Sequence, residues 1–288
     1  MKGFRYVEPT QVGDAIDLLA TADGEGHLLA GGTALVPLMK TGYVQPSIVI
    51  GLRRLPGLRA IERRGKELVI GSLVSHTKIA ESAAVRAGWP LLADACGLVG
   101  TVRIRNQGTL GGNVVHADPN GDPPPALLVL EAIAHVAGPA GERRIAMADC
   151  FVDIFETSLE PAEILLDLSL PPLPPGSRTA YRKVLPRSQD DYATVAVAAL
   201  VRTDQAGRID EVRVALGGVG PRPLRATGVE RALIGGVPTA GSLAAATAGL
   251  DETIDPIDDA RGSAAYKRAM ARVWVERTLG ELCGIPVA

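Results

Sequence analysis

The sequence predicts an α+β chain in two unequal parts, residues 1–176 and 177–288. Three observations carry this reading. Apolar residues recur at strand-like and helix-like spacings along the chain. Pro171-Pro172-Leu173-Pro174-Pro175-Gly176 is the strongest break in that pattern, since neither a helix nor a central strand tolerates such a run. Beyond the break, three strand-like segments are followed by three helix-like ones, the segregated order of an α+β domain. A chain of 288 residues with 47% hydrophobic content is long enough for one or two domains with real cores.

In order, residues 4–7 suit a short strand. Pro9-Thr10 opens a helix, with Thr10 as its N-cap and Val12, Ala15, Ile16 and Leu19 on one face. Gly24-Glu25-Gly26 turns the chain into a short apolar strand at 27–30, which runs into Gly31-Gly32. A short helix is expected over 35–40 and a buried strand over 47–51. A hairpin follows over 58–71, with Arg63-Arg64-Gly65-Lys66 as a solvated tip. Helices are expected over 77–84 and 91–98. A glycine-dense stretch then occupies 108–113. Pro123-Pro124-Pro125 starts an apolar helix over 126–131. Segments 133–137 and 143–146 form a hairpin, and 164–170 a strand. Beyond the break, strands are expected over 180–185, 194–203 and 211–216. Helices are expected over 227–234, 240–248 and 264–283.

The near-balanced charge, −2, favours neither nucleic acid nor an anionic surface, and 3% aromatic content leaves few platforms for base stacking. Cys96, Cys150 and Cys283 are far apart and form no local thiolate motif for a cluster or zinc. Each is expected to be a buried, unreactive thiol, as in a reducing compartment. The N-terminus, beginning Met1-Lys2, has no apolar core of a signal peptide, and the apolar run at 193–201 is far short of the roughly 20 residues that span a bilayer. A soluble, cytoplasmic protein with no transmembrane segment is expected.

Two glycine loops carry the chemistry. The first is Leu28-Leu29-Ala30-Gly31-Gly32-Thr33-Ala34-Leu35. The second is Asn106-Gln107-Gly108-Thr109-Leu110-Gly111-Gly112-Asn113. Glycine lets a backbone approach a ligand closely, and consecutive N–H groups in such a turn form an anion nest. Neither loop contains Lys or Arg, so backbone donors, helped by the hydroxyls of Thr33 and Thr109, would bind phosphate. Two such loops could grip the two phosphates of a dinucleotide from both sides. Neither fits the Rossmann or P-loop pattern.

These segments resemble the flavin subunits of molybdenum hydroxylases, a family that includes the medium subunit of aerobic carbon monoxide dehydrogenase and the flavin domain of xanthine dehydrogenase. Residues 30–40 are similar to the family's first FAD-binding signature. Residues 104–113, with His116-Ala117-Asp118-Pro119, are similar to its second, and Phe4-x-Tyr6-x-x-Pro9 matches its opening. The resemblance implies a two-subdomain FAD-binding fold of the vanillyl-alcohol-oxidase/PCMH type, followed by a smaller α+β C-terminal domain. It places the FAD pyrophosphate against Leu28, Leu29, Ala30, Gly31, Gly32, Thr33, Ala34 and Leu35 on one side. Thr109, Leu110, Gly111, Gly112 and Asn113 face it from the other. Asp122 matches a carboxylate on the adenosine side. Val99 and Leu165 match apolar positions near the flavin ring. Lys183 matches a lysine close to the isoalloxazine, where a cation favours the reduced, anionic ring. Tyr192 matches a residue that shields one flavin face. His116 is best explained by local hydrogen bonding. Arg103 and Arg105 suit either a partner contact or a structural salt bridge.

By the same resemblance, electrons come from the [2Fe–2S] clusters of a small subunit, after oxidation of substrate at a molybdopterin cofactor in a large one. They leave to NAD, a quinone or oxygen. The chain lacks cluster-binding cysteines and space for a molybdenum domain, so the resemblance implies a heterotrimer, in doubled form. Two alternatives stay open: a stand-alone FAD-dependent oxidoreductase with its own substrate, and a flavin-less assembly protein. The residues offer no convergent acid/base set for the first.

Overall fold

The structure, a computed structural model, describes residues 3–188 and 190–286. Met1 and Lys2, where a signal peptide would begin, lie outside the described residues, as do Gln189, Val287 and Ala288.

The first subdomain contains β1 (Arg5–Val7), α1 (Val12–Thr21), β2 (Gly26–Leu29), α2 (Leu35–Thr41) and β3 (Ile48–Gly51). Its three strands form a parallel sheet in the order β1-β3-β2. Parallel neighbours need crossovers, which the two helices supply. Ala15 and Ile16 of α1 pack with Ile50 and Leu52. Thr10 is not the cap of α1. Gln11 holds that position and makes no side-chain cap bond. The helix begins where Val12 joins the apolar face.

The second subdomain begins with β4 (Ile61–Arg64) and β5 (Glu67–Gly71). Six short helices follow: α3 (His76–Glu81), α4 (Ala83–Gly88), α5 (Pro90–Gly97), α6 (Val102–Gln107), α7 (Leu110–His116) and α8 (Pro123–Val129). Next come β6 (Ile133–Gly138), β7 (Gly141–Ala146), α9 (Met147–Cys150), the small ribbon β8 (Phe151–Asp153) and β9 (Glu156–Thr157), and β10 (Ile164–Leu170). The antiparallel sheet has the order β4-β5-β10-β6-β7. Leu68, Ile70, Ala134, Val136 and Leu168 share a core with Leu91, Leu92, Leu127 and Leu130 from the helices. The helix expected over 77–84 is in fact two, because Ser82 caps the second through Val85 N–H. The helix expected over 126–131 starts earlier, with the prolines in its first turn, where a missing N–H costs nothing.

Past the proline-rich break lie β11 (Arg178–Val184), β12 (Val195–Thr203), β13 (Ile209–Gly217) and β14 (Leu224–Arg225). They are followed by α10 (Thr227–Leu233), α11 (Ala240–Thr247) and α12 (Ala264–Cys283). The strands form an antiparallel sheet in chain order. Strand β12 reads as unbroken apolar sequence because both its faces are covered. Ala196, Ala198 and Leu200 join the core of the second subdomain. Val195, Val197, Ala199 and Val201 pack with Val275 and Leu279 of α12. The hydrophobic core therefore runs continuously across the break at 171–176.

Cys96 and Cys150 are buried and Cys283 half-buried, and all three are free thiols. Burial pushes the Cys150 thiol up to about 11. Among the described residues no helix is long and apolar enough to cross a membrane.

Candidate functional site

The two glycine loops come from different subdomains and meet. Strand β2 ends at Leu29, and residues 30–34 carry the chain into α2. Gly32 has φ +73°, the left-handed region that favours glycine. Gly31 lies directly against the other loop. A Cβ there would strike the Gln107 carbonyl oxygen and lie 3.1 Å from Gly108 Cα. Residues Leu28 to Leu35 are all half-exposed. Among the described residues, the N–H groups of Gly31, Gly32, Thr33, Ala34 and Leu35 donate to no protein acceptor. This run of unspent donors borders the seam between the loops.

The second loop differs from its expected form. Thr109 caps α7, its hydroxyl accepting the Gly112 N–H at 3.1 Å. Leu110 N–H donates to Val74 O, Gly111 N–H to Ser72 O and Asn113 N–H to Thr109 O. The helix start and its docking onto residues 72–76 thus consume these donors. The nest expected of both loops is confined to the first. What the second loop retains is side-chain capacity: Asn113 Oδ1 and the neighbouring Ser72 Oγ are buried without a partner. Orphaned buried polar atoms are rare, and a polar ligand satisfies them. The seam therefore fits a phosphate-bearing group along the first loop.

Next to the seam is a buried ionic cluster. Lys183 Nζ donates to Asp122 Oδ2 at 2.9 Å and to Leu98 O at 2.8 Å. Tyr181 Oη donates to Asp122 Oδ1 at 2.9 Å. The side chains of Lys183 and Asp122 are only 2% and 4% exposed. Burial raises the Asp122 carboxyl to about 6, against the opposing pull of Lys183. Val99 follows Leu98, so Val99 and Lys183, both expected near the flavin ring, are brought together. Asp122 does not sit at the far end of an extended dinucleotide from Lys183. The two side chains touch, so the adenosine-side placement of Asp122 is incompatible with a ring-side Lys183. Tyr181 escaped the sequence reading. The alternation of strand side chains could have found it, since residues two apart share a face.

The remaining candidates are scattered around this centre. Leu165 is buried on β10 in the same core as Leu110 and Val114. Tyr192 is partly exposed, its ring 5.1 Å from the Arg261 guanidinium. Burial, with Asp118 bonded to its hydroxyl, pushes Tyr192 up to about 12. The His116 ring lies against Phe155 at 5.0 Å, and among the described residues it makes no side-chain hydrogen bond of the kind expected of it. Arg105 donates to the carbonyls of Val99 and Gly100, a structural role, while Arg103 is exposed.

His76 supports the second loop: its N–H donates to Gly108 O, and its ring is buried with Nδ1 unpartnered. Burial, then Arg105, lower it from 6.5 to about 4. The unfolded chain therefore binds this proton first as pH falls, and stability drops between pH 6.5 and 4 by up to roughly 3 kcal/mol. Asp122, raised by burial, has the opposite sign. The test is urea denaturation of wild type and His76→Gln at pH 7 and pH 4.5. The variant should lose about 2 kcal/mol less on acidification; equal losses would show that His76 is not the titrating group.

With the geometry in place, comparison with known proteins decides the family. Residues 2–173 match the family model "FAD binding domain in molybdopterin dehydrogenase", and residues 180–282 match "CO dehydrogenase flavoprotein C-terminal domain". This chain belongs to that FAD-binding family. FAD is its cofactor, and it is an oxidoreductase flavoprotein with an electron-transfer role. It is similar to the carbon monoxide dehydrogenase medium chain of Hydrogenophaga pseudoflava, at 35% identity over 96% of each chain. It is equally similar to the nicotine 6-hydroxylase medium subunit of Paenarthrobacter nicotinovorans, at 35% identity over 98% of each. The solved Hydrogenophaga enzyme superposes with a TM-score of 0.94, covering 97% of this chain and 96% of that one. Quinoline 2-oxidoreductase from Pseudomonas putida 86 superposes with 0.92 at 29% identity, covering 99% of each chain. The two-part α+β architecture of this flavoprotein is thus that of its relatives.

Proposed function

We propose that this chain is the medium subunit of a molybdenum hydroxylase resembling carbon monoxide dehydrogenase or xanthine dehydrogenase. FAD receives electrons from the [2Fe–2S] clusters of a small subunit, itself fed by a large molybdopterin subunit. NAD, a quinone or oxygen takes them up. The relatives support this reading, being medium subunits over nearly their whole length. The complex is a doubled heterotrimer and resides in the cytoplasm. The domain division falls at 176/177, between the two family matches.

One observation carries the site assignment: five successive unspent N–H groups, Gly31 to Leu35, at a seam closed by Gly108. These donors, with the Thr33 hydroxyl, hold the pyrophosphate. Leu28, Leu29 and Ala30 form the approach. Thr109, Leu110, Gly111 and Gly112 hold the opposite wall in place, and Asn113 offers its unpartnered amide oxygen as an acceptor for a hydroxyl or N–H of the cofactor, not for its phosphates. Lys183, with Asp122 behind it, meets the ring end beside Val99. Tyr192 screens a face of the ring, and Leu165 backs the core behind it. When bound, FAD supplies the junction between one-electron donors and a two-electron acceptor.

The test is expression of the chain alone, its visible spectrum and chromatography of the released cofactor. One FAD per chain without iron or molybdenum is the expected result. A folded chain that takes up no supplied FAD would remove the site assignment.

A further inference from the structure

We propose that Asp122, held by Tyr181, is a redox-linked proton acceptor: it takes a proton from solvent when negative charge arrives beside Lys183. The inference rests on the reading that Lys183 lies at the ring end of FAD.

The argument begins with geometry. Asp122 is 4% exposed, yet both its oxygens are engaged, one by Tyr181 Oη and the other by Lys183 Nζ. Lys183 is tied in turn to Leu98 O. The other ionisable groups that influence Asp122 are few. Cys96 in α5 is fully buried as a neutral thiol. Asp118 precedes Asp122 in the same loop, and Tyr192 follows β11. The cluster therefore holds one cation and one buried anion whose charge burial opposes.

Consider two electrons reaching a ring next to Lys183. One proton accompanies them onto the ring, leaving one added negative charge. That charge competes with Asp122 for the Lys183 ammonium and disfavours a second anion nearby. Burial already raises the Asp122 carboxyl to about 6, so a modest further rise brings it into the neutral range. The carboxylate then accepts a proton from solvent. No bond between heavy atoms forms or breaks. Per electron pair, one proton goes to the ring and one to Asp122, and both return when the acceptor removes the electrons. Tyr181 sets the range: its hydroxyl stabilises the charged carboxylate, and its loss moves proton uptake to higher pH. Neighbouring strand residues 181 and 183 thus act on the same carboxylate.

The experiment is a spectroelectrochemical titration of the FAD-bound full chain across neutral pH. Just above pH 6, the potential of wild type should fall twice as steeply with pH as it does well above that window. Asp122→Asn should keep the shallow slope throughout. Tyr181→Phe should shift the steep window to higher pH. Lys183→Met tests the underlying reading separately, and its potential should fall at every pH. A Lys183→Met variant with unchanged potential overturns the ring-end placement and the inference with it. A lowered potential in Lys183→Met, with identical slopes in wild type and Asp122→Asn, overturns the inference alone. If Asp122→Asn does not retain FAD, an unmoved window in Tyr181→Phe is the overturning result.

Discussion

Gly31→Ala should lose stable FAD retention. The added methyl has nowhere to go, since it meets the Gln107 carbonyl oxygen and also lies 2.8 Å from the Gln107 carbonyl carbon. These are backbone atoms, held because the second loop is pinned to residues 72–76 by three hydrogen bonds, from His76, Leu110 and Gly111 N–H, while Gly112 N–H to Thr109 Oγ1 stiffens it from within. No side chain can rotate aside, so the subdomains must part or the first loop must shift. Overpacking of this kind costs about 1–3 kcal/mol. If that cost falls on the bound state, FAD affinity drops roughly 5- to 150-fold. Fluorescence titration of the deflavinated chain would measure it. Gly13→Ala is the control: its position in α1 is open, and FAD binding should be unchanged. Equal affinities in wild type and Gly31→Ala would show that the close seam is not needed for cofactor binding.

Lys183→Met should cost the fold about 3–5 kcal/mol at neutral pH, because it leaves a buried carboxylate without its counterion. Methionine keeps most of the stem volume, so the loss reports charge rather than a cavity. The deficit should shrink as pH falls toward 6: Lys183 holds Asp122 down to about 6 in the wild type, and without that cation the buried carboxyl protonates at higher pH. Lys183→Met combined with Asp122→Leu removes both charges and should be more stable than Lys183→Met alone, as replaced buried pairs often are. Denaturant unfolding of deflavinated wild type, Lys183→Met, Asp122→Leu and the double variant gives the coupling directly. A single-variant loss below about 1 kcal/mol would mean that water reaches the pair and screens it.

How much of this was legible in the residues depends on the range of the interactions. Strand β12 and helix α12 were readable almost to their ends, because periodicity is local and both are long. The hairpin over β4 and β5 was readable for the same reason. Helices α6 and α7 were not. Each is barely two turns, α6 buries none of its residues, and α7 carries two glycines in its first turn that read as loop. Thr10 looked like a cap from its neighbours, but Gln11 holds that position and the helix starts one residue later, at Val12, which packs with the cluster of Ala15 and Ile16.

The same division runs through the site. By itself, the sequence determined the fold class, the family and the pair of glycine loops, since glycine's missing Cβ and the spacing of apolar residues are properties of the residues themselves. Only the tertiary structure decided that the second loop spends its N–H groups on residues 72–76, and that the first therefore carries the free donors. It alone brought Asp122 against Lys183, 61 positions apart in the chain, with Tyr181 as the third member. The reason is physical. A hydrogen-bond donor is available only if the fold has not already found it an acceptor, and a carboxylate's charge depends on what surrounds it once water is excluded.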